Sequence, residues 1–324
     1  MATSSELKSR MSGIRETKKV TDAMYMISSV KMRRAKCDML ETHPYFTALK
    51  KEITELLRFI PETQNKYFQS KPEHKGARHG LLLVTSDKGL AGGYNQNAIK
   101  MAEEFVDQSP NTLLFIVGEY GRTHFANRNV PYDTNFEFSA AIASMWEARR
   151  ICLYILEFFN TGRVDDISII YSDPEAGNGS ECQLQCLLPL ARSSFRPEEG
   201  VSEKASKEDW NTKEFYPDPN TVLDCIVPSY LAGYIYSSLI DSYFDEQEAR
   251  MSAMSVAGKN AEDMIKQLKV EYNRVRQAKI TREMVEIASG ARALKKKRQM
   301  LQSEGHRLEQ PHQCNKTHGQ NCRY

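Results

Sequence analysis

The sequence predicts a chain in two parts. Its N- and C-terminal helices form a long antiparallel two-helix coiled coil, and between them lies a central α/β domain of Rossmann-like layout with a mainly parallel sheet. Two patterns carry this. Small and apolar residues recur at alternating steps of four and three along both ends of the chain, and strand and helix patterns alternate in the middle.

At the N-terminal end, Leu7, Met11, Ile14, Lys18, Thr21, Met24, Ser28, Met32, Ala35, Met39, Thr42, Phe46, Leu49, Ile53, Leu56 and Ile60 keep that spacing. The mean period of 3.5 marks a coiled-coil seam rather than an ordinary amphipathic helix. Pro44 is the only breaker inside this run, and because proline removes one helix hydrogen bond a kink or break is expected near His43. Ile240, Tyr243, Gln247, Met251, Met254, Gly258, Ala261, Ile265, Leu268, Tyr272 and Val275 repeat the pattern. No proline falls between Pro228 and Pro311, so one helix is expected from about residue 230 to about residue 300. Its length is roughly 105 Å at ~1.5 Å per residue. Two seams from opposite ends of one chain imply an antiparallel pair in which the longer C-terminal helix overhangs its partner. Met24, Ser28, Ala35, Met251, Met254 and Ala261 let the two backbones approach closely, with methionine as gap-filling core. Gly258 and Gly290 each cost about 1 kcal/mol relative to alanine inside a helix; close approach of a neighbour and simple tolerance both account for them.

In the middle, the run Gly80-Leu81-Leu82-Leu83-Val84-Thr85-Ser86 reads as a buried parallel strand. A turn-rich loop, Asp87-Lys88-Gly89-Leu90-Ala91-Gly92-Gly93-Tyr94-Asn95, leads into a helix over 95–106. Further strands are expected over 112–117, 166–171 and 182–188, with helices from Glu119 and over 140–160. The resulting domains are an N-terminal helix (1–60), a central domain (61–221, with a polar loop at 196–220), a C-terminal helix (222–300) and a disordered basic and polar tail (301–324).

The 324 residues carry 44 Lys+Arg against 42 Asp+Glu, a net charge of +2 that hides a strong asymmetry. Residues 1–36 hold nine basic and three acidic groups (+6), residues 250–300 hold 13 and five (+8), and residues 37–249 hold 19 and 32 (−13). Basic ends around an acidic centre suit an anionic partner surface, or are solvated helix faces. Seven cysteines, an odd and scattered set, make no disulfide framework and fit a reducing compartment. The longest strictly aliphatic run, Leu81-Leu82-Leu83-Val84, is far short of the ~18 residues of a membrane span, and the N-terminus lacks the apolar stretch of a secretory signal, so the chain is expected neither to cross a membrane nor to be exported.

Catalytic chemistry finds little to stand on. The loop from Gly89 to Gly93 lies between a strand and a helix, where a phosphate would sit, but the sequence has neither G-x-G-x-x-G nor a Gly-Lys-Ser/Thr pair, so a structural turn is expected. Cys182 and Cys186, about 13 Å apart on a strand, are beyond disulfide reach and read as small core residues. In the tail, His312, Cys314, His318 and Cys322 lack a second Cys-x-x-Cys half, so disorder is preferred to zinc. No catalytic, cofactor-binding or metal-binding residue is assigned.

Ordered motifs then identify a resemblance. Ile14-Arg15-Glu16-Thr17-Lys18-Lys19-Val20-Thr21-Asp22-Ala23-Met24 with Lys31-Met32-Arg33-Arg34-Ala35, the loop from Thr85 to Asn95, Ala249-Arg250-Met251-Ser252-Ala253-Met254, and Tyr272-Asn273-Arg274-Val275-Arg276-Gln277-Ala278-Lys279-Ile280-Thr281-Arg282-Glu283 followed by Glu286-Ile287-Ala288-Ser289-Gly290-Ala291 resemble the γ-subunit family of F-type ATP synthases, of the bacterial type, over about residues 3–294. The resemblance implies a non-catalytic rotor shaft. It would turn inside a ring of three α and three β subunits, bind the ε subunit, and sit on the membrane-embedded c-ring, so that the chain is peripheral to the cytoplasmic side of a bacterial cell membrane. It implies no cofactor and no nucleic acid. The shaft's asymmetry would drive the β subunits through their catalytic states, coupling proton transport to ATP synthesis and hydrolysis. By the same resemblance Arg276 and Gln277 engage a β-subunit loop with Arg250 and Thr281 in the same network, Met24 lies against the β lever, and Ala288, Ala291 and Leu294 ride in an apolar bearing at the tip. The competing readings are a basic coiled coil that binds nucleic acid, although its basic helices carry few aromatics for stacking, and a nucleotide-binding α/β enzyme.

The chain departs from the family in running past Leu294 into Lys295-Lys296-Lys297-Arg298 and a polar tail, and in having no cysteine in the 196–220 loop where the chloroplast type keeps a regulatory pair. Four unpaired charges cannot stay inside an apolar bearing, so they are expected to emerge beyond it or to find acidic partners. Truncation after Met300 is expected to leave assembly and ATPase activity nearly intact; a large loss of either, measured on the reconstituted complex, would show the tail to be required.

Overall fold

A computed structural model of the chain describes residues 3–57, 65–69, 77–128, 130–141, 144–174, 181–195 and 216–308, the side chains of His43 and of 301–308 aside. The chain divides into two compact units, Lys18–Asn260 and Met1–Thr17 with Ala261–Tyr324. Helices α1 (Ser4–Leu56) and α5 (Pro219–Leu308) contribute to both.

In the larger unit the chain runs β1 (His79–Val84), α2 (Tyr94–Gln108), β2 (Thr112–Val117), α3 (Glu119–Asn127), α4 (Met145–Asn160), β3 (Asp166–Asp173) and β4 (Glu181–Leu188). The sheet order is β2-β1-β3-β4, with β1 parallel to both neighbours. Alternation along the strands sends Leu82, Val84, Phe115, Val117, Ile167 and Ile169 to one face and Leu81, Leu83, Leu114, Ile116 and Ile170 to the other. The first face packs with α4, α5 and part of α1, and the second with α2 and α3. This double coverage explains why the strands read as continuous apolar runs.

β4 breaks the parallel pattern and pairs antiparallel with β3. Only residues 174–180 separate the two strands, too few for a parallel crossover of a dozen or more. At the sheet edge β4 is thinly covered, and Cys186 is exposed while Cys182 is half-buried against the second core. The expectation of two core cysteines therefore fails for Cys186.

The predicted seam is the buried line of α1: Thr21, Ser28, Ala35, Ile53 and Leu56 are buried, and Met24, Met32, Met39, Phe46 and Leu49 half-buried. Its expected last member, Ile60, lies outside the described residues. A β-carbon on Gly258 of α5 would lie 3.4 Å from Asp22 Oδ1 and 3.8 Å from Thr21 Oγ1, and Phe46 packs at Gly233 with its ring 6.4 Å from that of Tyr236. From Thr21 to Phe46 is 25 residues up α1, and from Gly258 to Gly233 is 25 residues down α5, which is an antiparallel pairing in register. A β-carbon on Gly258 would thus sit at ordinary contact distance from α1, and one on Gly290 would meet nothing within 4 Å among the described residues, so simple tolerance accounts for both glycines. In the smaller unit the seam positions are again the covered ones: Leu7, Met11 and Ala261 are buried, and Ile14, Ile265, Leu268, Tyr272 and Val275 half-buried.

Three helix boundaries differ from expectation. α1 continues through Pro44, an exposed residue flanked by seam positions on both sides, so the single lost hydrogen bond does not interrupt it. α5 starts at Pro219, with Pro228 inside it. Asp218 caps this start, its carboxylate accepting from Thr221 N (3.1 Å) and Thr221 Oγ1 (2.6 Å), and Pro219 takes the first helical position, where no N–H is needed. At the other end α5 runs to Leu308, so residues 301–308 are helical, while 309–324, with the tail His and Cys residues, lie outside the described residues. One window of α5 is long and apolar enough to span a bilayer, but 56% of it is buried in the molecule, where Leu223, Val227, Leu231, Ile235 and Leu239 belong to the core of the first face.

The ring of Phe46 occupies the space that a β-carbon on Gly233 would need. Gly233→Ala gains about 1 kcal/mol of helix propensity but must displace the ring, typically about 1–3 kcal/mol. A lower urea midpoint is expected for Gly233→Ala alone, and a raised one when the same change is made in a Phe46→Ala background; additive effects would refute the contact.

Candidate coupling surfaces

The loop between β1 and α2 begins at the carboxyl end of the central strand, where a doubly wound sheet reverses its strand order and commonly binds ligands. Here α5 presents its own side chains to that crevice. Arg250 Nη2 donates to the carbonyls of Lys88 (3.0 Å) and Gly89 (3.3 Å), and Arg250 Nη1 pairs with Glu246 Oε1 at 2.6 Å. The α5 backbone lies alongside, Ala249 O standing 3.8 Å from where a β-carbon on Gly92 would be. The positive φ of Leu90 (65°) and Gly92 (57°) bends the loop tightly. Asn95 locks its start, its Oδ1 accepting from Ser86 N at 3.0 Å and its Nδ2 donating to Ser86 Oγ at 2.7 Å. Asp87 ties the loop to two neighbours, accepting from Ser139 Oγ (2.6 Å) and from the backbone N–H of Ala140, Ala141 and Glu119. Burial pushes the Asp87 carboxyl up, but these hydrogen bonds outweigh it and hold it below the usual carboxylate range. Two of this loop's carbonyls thus serve α5.

Arg250 therefore faces inward, its side chain 11% exposed and Glu246 beside it 8%. Burial raises the Glu246 carboxyl, opposed by the Arg250 charge. Ser242 and Asp245 on the same face of α5 reach β3: Ser172 N donates to Ser242 Oγ (3.0 Å) and Ser172 Oγ to Asp245 Oδ2 (2.6 Å). Of these groups only Arg250 was singled out from sequence. The available signal was an acidic pair, Asp245-Glu246, directly after an apolar helical run.

The other expected site residues divide in two. Met24 is half-buried on the α1 seam, whereas Arg276, Gln277, Thr281, Ala288, Ala291 and Leu294 are all exposed on α5. The seam on α5 ends at Val275, because the next positions in its spacing are Lys279, Arg282, Glu286 and Ser289. Beyond it a second apolar line, Ile280, Met284, Ile287, Ala291 and Leu294, keeps steps of four and three but runs alternately one and two positions after the continued seam, on a different side of the helix. Its large members are 42–74% exposed. Apolar residues kept in coiled-coil spacing yet facing solvent mark a surface built for a partner. Lys279, Arg282, Arg292 and residues 295–298 give the same segment a basic surround.

Comparison with known proteins decides what that partner belongs to. The ATP synthase family model matches residues 3–294. The ATP synthase gamma chain of Acetivibrio thermocellus is 36% identical over 295 residues, covering 91% of this chain and 100% of that one. That of Ruminiclostridium cellulolyticum is 34% identical over 290 residues, covering 89% and 98%. The chain belongs to the ATP synthase gamma-chain family. Its fold is similar to a chain in the OSCP/F1/c-ring structure of the Euglena gracilis mitochondrial ATP synthase (TM-score 0.60, 15% identity, 89% of this chain and 93% of that one). A chain of the central stalk and c-ring of the Tetrahymena thermophila enzyme is also similar (TM-score 0.53, 19% identity, 74% and 99%). As a gamma chain it is a subunit of a membrane-associated ATP synthase, the enzyme that links ion transport to ATP synthesis. The nucleic-acid reading has no support among these relatives.

For this gamma chain the junction of α5 with the loop is a buried ion pair, and removing one partner strands the other. Arg250→Ala is expected to lower stability by about 3–5 kcal/mol, and adding Glu246→Gln to recover part of that loss. Urea denaturation of the full chain checks both; an Arg250→Ala change within 1 kcal/mol would place the pair at the surface.

Proposed function

We propose that torque enters and leaves this rotor subunit through two different parts of α5. The buried stretch with Ser242, Asp245, Glu246 and Arg250 grips the α/β domain. The exposed stretch beyond Val275 engages the catalytic ring. What carries the reading is the change of face at Val275: the helix stops being apolar toward α1 and becomes apolar toward solvent.

Within the exposed stretch, Arg276, Gln277 and Thr281 are assigned to a polar contact with a β subunit. A guanidinium forks onto a carboxylate in two parallel hydrogen bonds, giving a grip that resists rotation in a way one point contact does not. Ala288, Ala291 and Leu294 are assigned to the bearing, where small apolar side chains let the helix slide on an apolar sleeve without binding it. Met24 is assigned to a β-subunit lever region; its half-buried position on the seam leaves part of the side chain for such a contact. Arg250 is assigned to holding the loop of residues 87–93, because its guanidinium is directed at Glu246, Lys88 and Gly89. An off-axis helix presents different contacts to each of three β subunits, so every angular position favours a different set of β conformations.

The chain supplies no catalytic group of its own in this reading. The sheet crevice that binds ligands in related layouts is met by α5's own polar side chains, and Asp87 beside it is taken up by Ser139 and by the N–H groups of Ala140, Ala141 and Glu119. The subunit is peripheral, held at the cytoplasmic side of a bacterial membrane by the rest of the complex.

Replacing Arg276 and Gln277 together by alanine is expected to lower ATP-driven proton pumping several-fold in the assembled complex, with Lys at 276 restoring it only in part. Pumping by inverted membrane vesicles, compared with ATPase rate, separates lost coupling from lost assembly; pumping equal to wild type would remove both residues from the coupling surface.

A further inference from the structure

The contact between β3 and α5 contains a group that the rotor reading leaves unexplained. Asp245 is fully buried, at 0% exposure, where α5 meets β3 beside the hydroxyl of Ser242. One carboxyl oxygen, Oδ2, accepts the Ser172 hydroxyl at 2.6 Å, and the other, Oδ1, is buried with no hydrogen-bond partner among the described residues. A neutral carboxyl tolerates this, but a carboxylate has about four lone-pair sites to satisfy and is strongly disfavoured with one donor.

The charged and titratable surroundings make ionisation harder still. Asp173 on β3 and Glu248 on α5 both act on Asp245 with the same sign of charge. Tyr94 at the start of α2 and Cys182 on β4 also feel its charge. On α5, Glu246 is one residue away and is itself paired with Arg250, so that cation is committed elsewhere. Ser242 is used as well, accepting from Ser172 N.

We propose that Ser172 and Asp245 form a proton-operated clasp between β3 and α5, closed when Asp245 is protonated and loosened when it ionises. Burial, with Glu248 and Asp173 adding to it against the Ser172 hydrogen bond, brings the Asp245 carboxyl up to about 6 from its ordinary 3.8. A carboxyl raised in the folded state holds its proton more tightly there than in the open or unfolded chain. The stabilisation is therefore complete below about pH 4 and is lost as pH rises through about 6. The grip of the α/β domain on α5 is predicted to tighten in mildly acidic conditions, within one compact unit of the chain and without any partner subunit.

Hydrogen exchange in the full chain tests this apart from any rotor activity. The reporter is the Ser172 amide, whose N–H donates to Ser242 Oγ across the clasp. After correction for intrinsic exchange, its protection is expected to fall about tenfold between pH 5 and pH 7.5, the change that a carboxyl titrating near 6 instead of near 4 imposes on local opening. In Asp245→Asn, which keeps the shape and removes the charge, protection is expected to be the same at both pH values. A wild-type protection independent of pH, or an equal fall in Asp245→Asn, would overturn the proposal. Should that variant fail to fold, the wild-type titration followed by carboxyl carbon-13 shifts decides alone: an aspartate titrating near 6 is expected, and an aspartate set titrating wholly near 4 refutes the clasp.

Discussion

Burial of α5 between the sheet and α1 is the interaction on which the rest of this molecule depends. Leu223, Val227, Leu231, Ile235 and Leu239 share one core with β1, β2 and β3, and Ala35, Ile53 and Leu56 of α1 close the same core. Fully burying a side chain of this size contributes about 1.5–3 kcal/mol, and conformational entropy opposes the sum. A helix as polar outside its seam as α1 would be marginal alone, because helices in water owe most of their stability to a packed face. Lined with Thr21, Ser28 and Ala35, that face trades side-chain volume for close backbone approach.

From this anchoring follows the use of the sheet crevice. An open α/β layer leaves unpaired backbone groups at the carboxyl ends of its strands, and many proteins of this layout satisfy them with a ligand. In this chain α5 provides a guanidinium for the carbonyls of Lys88 and Gly89 and a carboxyl and a hydroxyl for Ser172. The junction is polar and buried, so its strength depends on complete pairing, and an orphaned oxygen such as Asp245 Oδ1 becomes a point of sensitivity rather than strength. A rotor subunit gains from such a joint because directional hydrogen bonds resist twisting better than an oily contact, which permits sliding.

Much of this was legible in the chain. The steps of four and three named the covered positions of both helices, since coiled-coil packing repeats a local geometry that each segment expresses by itself. Buried strands in β1 and β2 stood out because both faces of the sheet are covered. The short link of residues 174–180 by itself excludes a parallel β3–β4 pair. Pro44 and Pro228 were overweighted as breakers: each removes a single hydrogen bond, and packing on either side restores the helix. Cys186 was placed in the core because a strand pattern does not say which strand will be the edge.

Family membership and the two seams were determined by the sequence, because spacing and motif order are properties of neighbouring residues. The direction in which Arg250 points was decided only by the tertiary structure. Read along the helix it looks like one more exposed cation, and it turns inward because Lys88, 162 residues away in the chain, places a carbonyl within reach. The same holds for Asp245, whose burial depends on β3 arriving 73 residues earlier in the chain with a serine at the right height. Burial and charge state are set by what packs against a side chain from distant segments, and no local pattern encodes that.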